Sequence, residues 1–206
     1  VNPPPHRRDP RLLLLLAAPV LVTAGLGARA ALQPGPAAGW TINRAIRLSE
    51  SGRHELALAH FQAALEHDPG EPHAWLRAGR ELRALGRPAE AAVHFRRAAE
   101  LDPGDETARF ELARGLLEAG LPALAGQAAG ETLALEPDHA GALYVEAAVA
   151  AQGGDAAAAA RLLDRALALG LDWPDRFRGD PSFDPVRNDR AFLDAALARR
   201  VPGAFR

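Results

Sequence analysis

The stretch Ala63–Gly70, AALEHDPG, is a run of good helix formers that stops at Asp-Pro-Gly. Proline cannot extend a helix and Asp and Gly favour turns, so the phrase reads as a helix end followed by a turn. Nearly the same phrase returns at Ala98–Gly104, AAELDPG, and at Thr132–Asp138, TLALEPD, which spaces Pro69, Pro103 and Pro137 by 34 residues. A turn rewritten at a fixed interval marks a repeat. Working outward from it, four units lie end to end without a gap: 38–71, 72–105, 106–139 and 140–171.

Numbered from the first residue of each unit, the columns align. Position 8 holds Ala45, Gly79, Ala113 and Ala147; position 15 holds Gly52, Gly86, Gly120 and Gly154; position 20 holds Ala57, Ala91, Ala125 and Ala159. Position 27 holds Ala64, Ala98, Thr132 and Ala166, and position 32 holds the three prolines, with Leu171 breaking the series. In an alanine-rich chain the alanine columns carry little weight, whereas the glycine and proline columns do. Glycine at 15 ends a first helix where the chain must turn, and proline at 32 stops a second. Small residues at 8 and 20 let the two helices approach where they cross. Phe61, Phe95 and Leu163 at position 24 fill the space between neighbouring pairs, with Ala129 the weak member. Each unit is thus a helix hairpin that must stack on copies of itself to bury its apolar face.

The second unit reads Trp75-x-x-Ala78-Gly79-x-x-Leu82, then Ala91-x-x-x-Phe95, then Pro103. This resembles the tetratricopeptide repeat (TPR) pattern, W-x-x-L-G-x-x-Y, A-x-x-x-F, P, with two substitutions. The resemblance extends over residues 38–171, although units 1 and 3 carry Thr41 and Arg109 in place of the tryptophan. It implies an all-α chain built as a right-handed superhelical solenoid of about four hairpins. Residues 172–206 leave the register, and Asp180-Pro181-x-Phe183-x-Pro185-Val186-Arg187 resembles the segment that closes many bacterial TPR arrays. Trp173, Phe177, Phe183, Val186, Phe192 and Leu193 are expected to cover the last apolar face, with Asn188 or Asp189 starting a final helix. Arg178-Gly179-Asp180 spells an adhesion tripeptide, which we read as a chance match beside a proline turn.

At the other end, Arg7, Arg8 and Arg11 precede an uncharged apolar stretch, residues 12–28, before Arg29 interrupts. A basic flank and an apolar core have the pattern of an export signal. Residues 1–32 are therefore expected to act as a signal-anchor helix in the membrane, or as a signal peptide cleaved to leave a mature start near Ala31. Residues 33–37 follow as a Pro/Gly linker. The expected location is the bacterial cell envelope, with the repeats outside the cytoplasm: held at the inner membrane if the segment stays, periplasmic or secreted if it is cleaved.

Composition excludes several kinds of chemistry. The chain has no Cys, which removes thiol nucleophiles and Cys-ligated metals. All 24 basic residues are Arg, so there is no lysine for a P-loop or a Schiff base. The net charge of -2 offers no field for nucleic acid. Serine occurs at Ser49, Ser51 and Ser182, and none has a nucleophile-elbow setting. His60 and His94 share position 23, but successive units stand about 8–10 Å apart and the register brings no third ligand. They read as partly exposed surface histidines. No catalytic residue, metal or cofactor is expected.

What remains is binding. Positions 2, 5, 9 and 12 of each first helix form one stripe, and the TPR resemblance places that stripe on a concave groove. It carries Ile42 and Ile46; His73, Leu76, Arg80 and Arg83; Phe110, Arg114 and Leu117; and Tyr144. A partner peptide or helix with an apolar face and a few carboxylates suits it. The arginines are expected to be exposed charges of little consequence for stability. The carboxylate clamp of chaperone-binding TPR domains needs Lys and Asn at set places, whereas Ile42, Ile46, Arg77, Thr107 and Glu111 stand there. The sequence thus points to a non-enzymatic scaffold, assembly factor or chaperone that binds another protein. The alternative is a permanent accessory subunit of a membrane protein complex.

Overall fold

A computed structural model describes residues 38–170, 179–190 and 192–193. The expected export segment, residues 1–32, lies outside them, as do Trp173 and Phe177. Among the described residues all regular structure is helical: α1 (Ala38–Glu50), α2 (His54–His67), α3 (Pro72–Ala84), α4 (Pro88–Leu101), α5 (Glu106–Glu118), α6 (Pro122–Leu135), α7 (Ala140–Gln152), α8 (Ala156–Ala168), and a 3-10 turn at Pro181–Val186. None of these helices is long and apolar enough to cross a membrane.

Two recurrent turns set the period. Within each hairpin the chain reverses through a glycine in the left-handed region, Gly86 at φ 72° being representative of Gly52, Gly120 and Gly154. Arg87 N–H then reaches back to Leu82 O and Gly86 N–H to Arg83 O, both at 2.9 Å. The same pair of bonds repeats in the other three turns and satisfies carbonyls that the helix end would leave bare. A side chain on Gly86 would meet nothing, so the requirement there is one of backbone conformation.

Between hairpins the Asp-Pro-Gly phrase does its own local bonding. Asp68 and Asp102 each accept the amide of the glycine two residues on, at 3.0 and 3.1 Å. The next helix is then capped by the side chain of Glu71, Asp105 or His139, each accepting from the first helical turn. In the second unit Trp75 Nε1 also donates to Pro69 O at 2.9 Å, so the repeat's tryptophan ties its helix to the preceding turn.

The columns of small residues are where the helices cross. Ala45, Ala113 and Ala147, together with Ala57, Ala91, Ala125 and Ala159, are fully buried. Phe95 is wholly buried between two glycines: a Cβ on Gly79 would come within 2.5 Å of its ring, and one on Gly115 within 3.3 Å. The ring therefore fills the space between its own hairpin and the next. Where the third unit offers Ala129 instead, α6 carries Gly126 against Val149 of α7, so the neighbouring helix supplies the missing bulk.

His94 is more than a surface histidine. Its ring lies 5.2 Å from that of Trp75, and its Nδ1 is 3.1 Å from Glu90 O. His60, one unit earlier, has a buried Nδ1 without a hydrogen-bond partner among the described residues. Burial lowers the pKa of both, with Arg44 adding to the effect at His60. Beyond the fourth unit, Phe183, Val186 and Phe192 pack into one cluster with Tyr144, Ala147, Ala151 and Leu163, and Asp189 accepts from Phe192 N–H at 3.1 Å. Leu193, expected in that contact, is 37% exposed, because its neighbour Phe192 takes the inward face.

We expect Gly79→Ala to lower the melting temperature although Ala gains about 1 kcal/mol of helix propensity, because overpacking costs about 1–3 kcal/mol. In a Phe95→Leu background the same change should be neutral or stabilising, and a penalty that persists there would contradict the interlock. Stability should also fall on acidification. The folded-state pKa of His94 lies below the ordinary 6.5, so the unfolded chain takes up the proton first. Its contribution is whole above that value and is lost as pH drops through the window beneath it. Melting at about pH 7.5 and about pH 5 should show a smaller acid-induced fall in His94→Phe than in the parent.

Candidate functional site

The first helices line one face of the stack, and the seams between them differ along its length. At the first seam Glu81 of α3 is 5% exposed; Ser49 Oγ donates to its Oε1 at 2.7 Å and His54 Nδ1 lies 2.8 Å from its Oε2. Serine, carboxylate and imidazole do meet here, but the carboxylate stands in the middle. A nucleophilic relay needs the imidazole there instead. The arrangement is a polar brace between units.

At the second seam Glu111 of α5 is 6% exposed and receives Arg80 Nε at 2.9 Å and Arg83 Nη1 at 3.0 Å. Burial lowers the Arg83 pKa, Glu111 opposes that, and the nearby Arg114 and Arg80 push it further down. Two guanidinium groups thus meet one buried carboxylate, with a third, that of Arg114, near Arg83. For Arg80 and Arg83 this corrects the expectation of exposed charges of little consequence for stability. Arg80 and Arg83 neutralise a carboxylate that has left water, whereas Arg114 pairs with Glu118 on its own helix at 3.1 Å.

The third seam is apolar and open. A cavity of about 210 Å³ lies between α5 and α7, lined by Phe110, Arg114, Leu117, Glu118, Gly141, Tyr144, Val145, Gly179 and Asp180. Its opening depends on Gly141, where a Cβ would stand 2.6 Å from the Phe110 ring. The Phe110 ring also lies 4.6 Å from that of His139, whose Nδ1 accepts from Ala142 N–H and so carries no hydrogen. The far wall is Gly179 and Asp180, beyond the fourth unit. Tyr144 donates its hydroxyl to Asp180 Oδ2 at 2.7 Å and its ring lies 5.5 Å from that of Phe183, while Asp180 Oδ1 accepts from Ser182 N–H. The Asp180 carboxylate is therefore committed inside the chain.

A family model described as tetratricopeptide repeat matches residues 42–106 and 110–175. The chain belongs to the tetratricopeptide repeat family. TPR domains are in general protein-interaction scaffolds, and the likeness to solved structures gives the same fold. A crystal structure of MamA protein superposes with a TM-score of 0.66 at 18% identity, over 78% of this chain and 90% of that one. MamA from Desulfovibrio magneticus RS-1 gives 0.66 at 20%, over 79% and 90%. A thermophilic TPR protein of Thermus thermophilus gives 0.59 at 22%, over 79% and 87%. A search of curated proteins finds no match.

Set on this TPR stack, the ten expected groove residues fall into three groups. Phe110, Arg114, Leu117 and Tyr144 meet around the cavity. Arg80 and Arg83 belong to the adjoining ion-pair seam. Ile42 and Ile46 are half-buried in α1, His73 is exposed, and Leu76 is buried in the packing of α3, so these four lie away from the cavity. Five lining residues are not among the expected ones: Glu118, Gly141, Val145, Gly179 and Asp180. Gly141 sits on the same stripe at position 2 but has no side chain to mark it, and Gly179 and Asp180 lie outside the repeat register.

We expect Arg83→Gln, which strips a donor from buried Glu111, to destabilise the chain by about 3 kcal/mol. Arg114→Gln breaks only an exposed pair and should cost less than about 1 kcal/mol. Urea unfolding of the two variants checks this, and equal costs would contradict the division of roles.

Proposed function

We propose that this TPR chain binds another protein through the inner face of its stack, at the cavity between α5 and α7, and that it acts as a scaffold, assembly factor or chaperone without catalysis. The observation that carries the reading is the convergence of Phe110, Leu117 and Tyr144, three large apolar or aromatic side chains from two units, around an open cavity with Arg114 at its edge. Its volume, about 210 Å³, is below the usual range of about 300–1,000 Å³ for small-molecule sites. It suits one or two side chains of a partner, and aromatic anchors beside arginine are the residue types that dominate protein interfaces.

The place of action we propose is the bacterial cell envelope. The support is the sequence of residues 7–28, three arginines followed by an uncharged apolar run, which suits a membrane anchor or an export signal. In the same reading residues 172–206 serve as a cap, since a stack must cover its last apolar face.

Affinity capture with the full chain tests the site. Phe110→Ala with Leu117→Gln should abolish recovery of the partner, while Leu56→Ser and Leu135→Ser, on exposed positions of second helices, should not. Equal loss from both pairs would place recognition elsewhere.

A further inference from the structure

We infer that the ligand of this groove is an acidic segment carrying one large apolar side chain, with its carboxylates about 8–10 Å from that side chain, one helix spacing along the stack. The inference rests on the proposed binding role of the cavity and names the chemistry of what enters it.

Helix α5 serves two seams at once. On one side it offers Glu111 to Arg80 and Arg83; on the other, Phe110 and Leu117 line the cavity. Arg114 joins the two, since it lines the cavity and lies near enough to Arg83 to depress its pKa. The groups balance unevenly: three guanidiniums face Glu111 and Glu118, a local excess of one positive charge. Among the described residues each of the three arginines uses only part of its donor fork, Arg80 and Arg114 through Nε and Arg83 through Nη1. Buried Glu111 holds Arg80 and Arg83 in place, so their remaining N–H groups are already oriented and lose little freedom on meeting a carboxylate.

On the cavity's other wall the described residues beyond the fourth unit are Gly179 and Asp180, and neither carries a guanidinium. Both oxygens of Asp180 are engaged, by Tyr144 and by the Ser182 amide, and its charge disfavours a second carboxylate there. Among the described residues the groove is therefore positive toward α3 and negative at Asp180. An acidic group belongs on the α3 side and an apolar side chain in the cavity. At about 3.3 Å per residue, the spacing corresponds to about three residues of extended chain.

The test uses the full chain and a phage-displayed library of random 12-residue peptides, selected on the parent protein and counter-selected on Phe110→Ala. The expected result is enrichment of peptides in which Leu, Phe or another large apolar residue stands two to four positions from Asp or Glu. A fluorescein-labelled member of that set should bind about tenfold more weakly when its acids become amides, when the apolar residue becomes Ala, or when the protein carries Arg114→Gln. Its affinity should also fall with added salt. Peptides that need Phe110 but bind equally well as amides would overturn the acidic chemistry and leave the cavity as the binding site. Peptides that bind the parent and Phe110→Ala alike, or no enrichment at all, would overturn both. Peptides that match a segment of this chain itself would replace an outside ligand with self-recognition, and would overturn the proposed partner as well.

Discussion

The ring of Phe95 lies between two positions that have no side chain, Gly79 in its own hairpin and Gly115 in the next. That contact demands that three helices come together at little more than the thickness of an aromatic ring. The remaining regularities serve it. Alanine at the crossings keeps the helices close, and left-handed glycines and Asp-Pro turns of fixed length return each hairpin to the same register. A stack built this way cannot absorb side chains of the wrong size at its crossings, because packed interiors deform little.

Such packing fixes the backbone but leaves the inner face free to vary, and it varies in a directed way. The first seam closes on Glu81 with Ser49 and His54, and the second on Glu111 with Arg80 and Arg83. Both seams bury a carboxylate among hydrogen-bonding partners from the neighbouring unit. At the third seam Arg114 pairs within its own helix, with Glu118, while Gly141 removes a side chain, Phe110 swings over it, and a cavity opens beside Arg114. An open junction therefore lies between α5 and α7, with Gly179 and Asp180 as its far wall, and it is there that we propose recognition.

How much of this could be read in the sequence follows from the kind of interaction. Gly86, Pro69 and Ala91 act through backbone conformation and close approach, constraints that recur with the period and are visible as columns. The turn chemistry, the crossing residues and the family all follow from them. Glu111 could not be read in the same way, because a carboxylate on a helix surface and one buried between two arginines look alike until the neighbouring unit is placed. Arg80, Arg83 and Arg114 share a stripe for the same reason and have different jobs. Gly141 sits on the stripe, yet it acts by lacking a side chain. Asp180 lies outside the register, so only the folded chain brings it to Tyr144, 36 residues earlier.

The central claim is that recognition happens at the junction of α5 and α7, and site-specific photo-cross-linking addresses it whatever the partner is. A photoreactive amino acid at Leu117, on the cavity wall, is compared in living cells with the same residue at Leu56 and Leu135 on the second helices. The account predicts a discrete cross-linked species containing a second protein from position 117 and none from 56 or 135. Cross-links from the second helices alone, or from position 117 only to the chain itself, would contradict it.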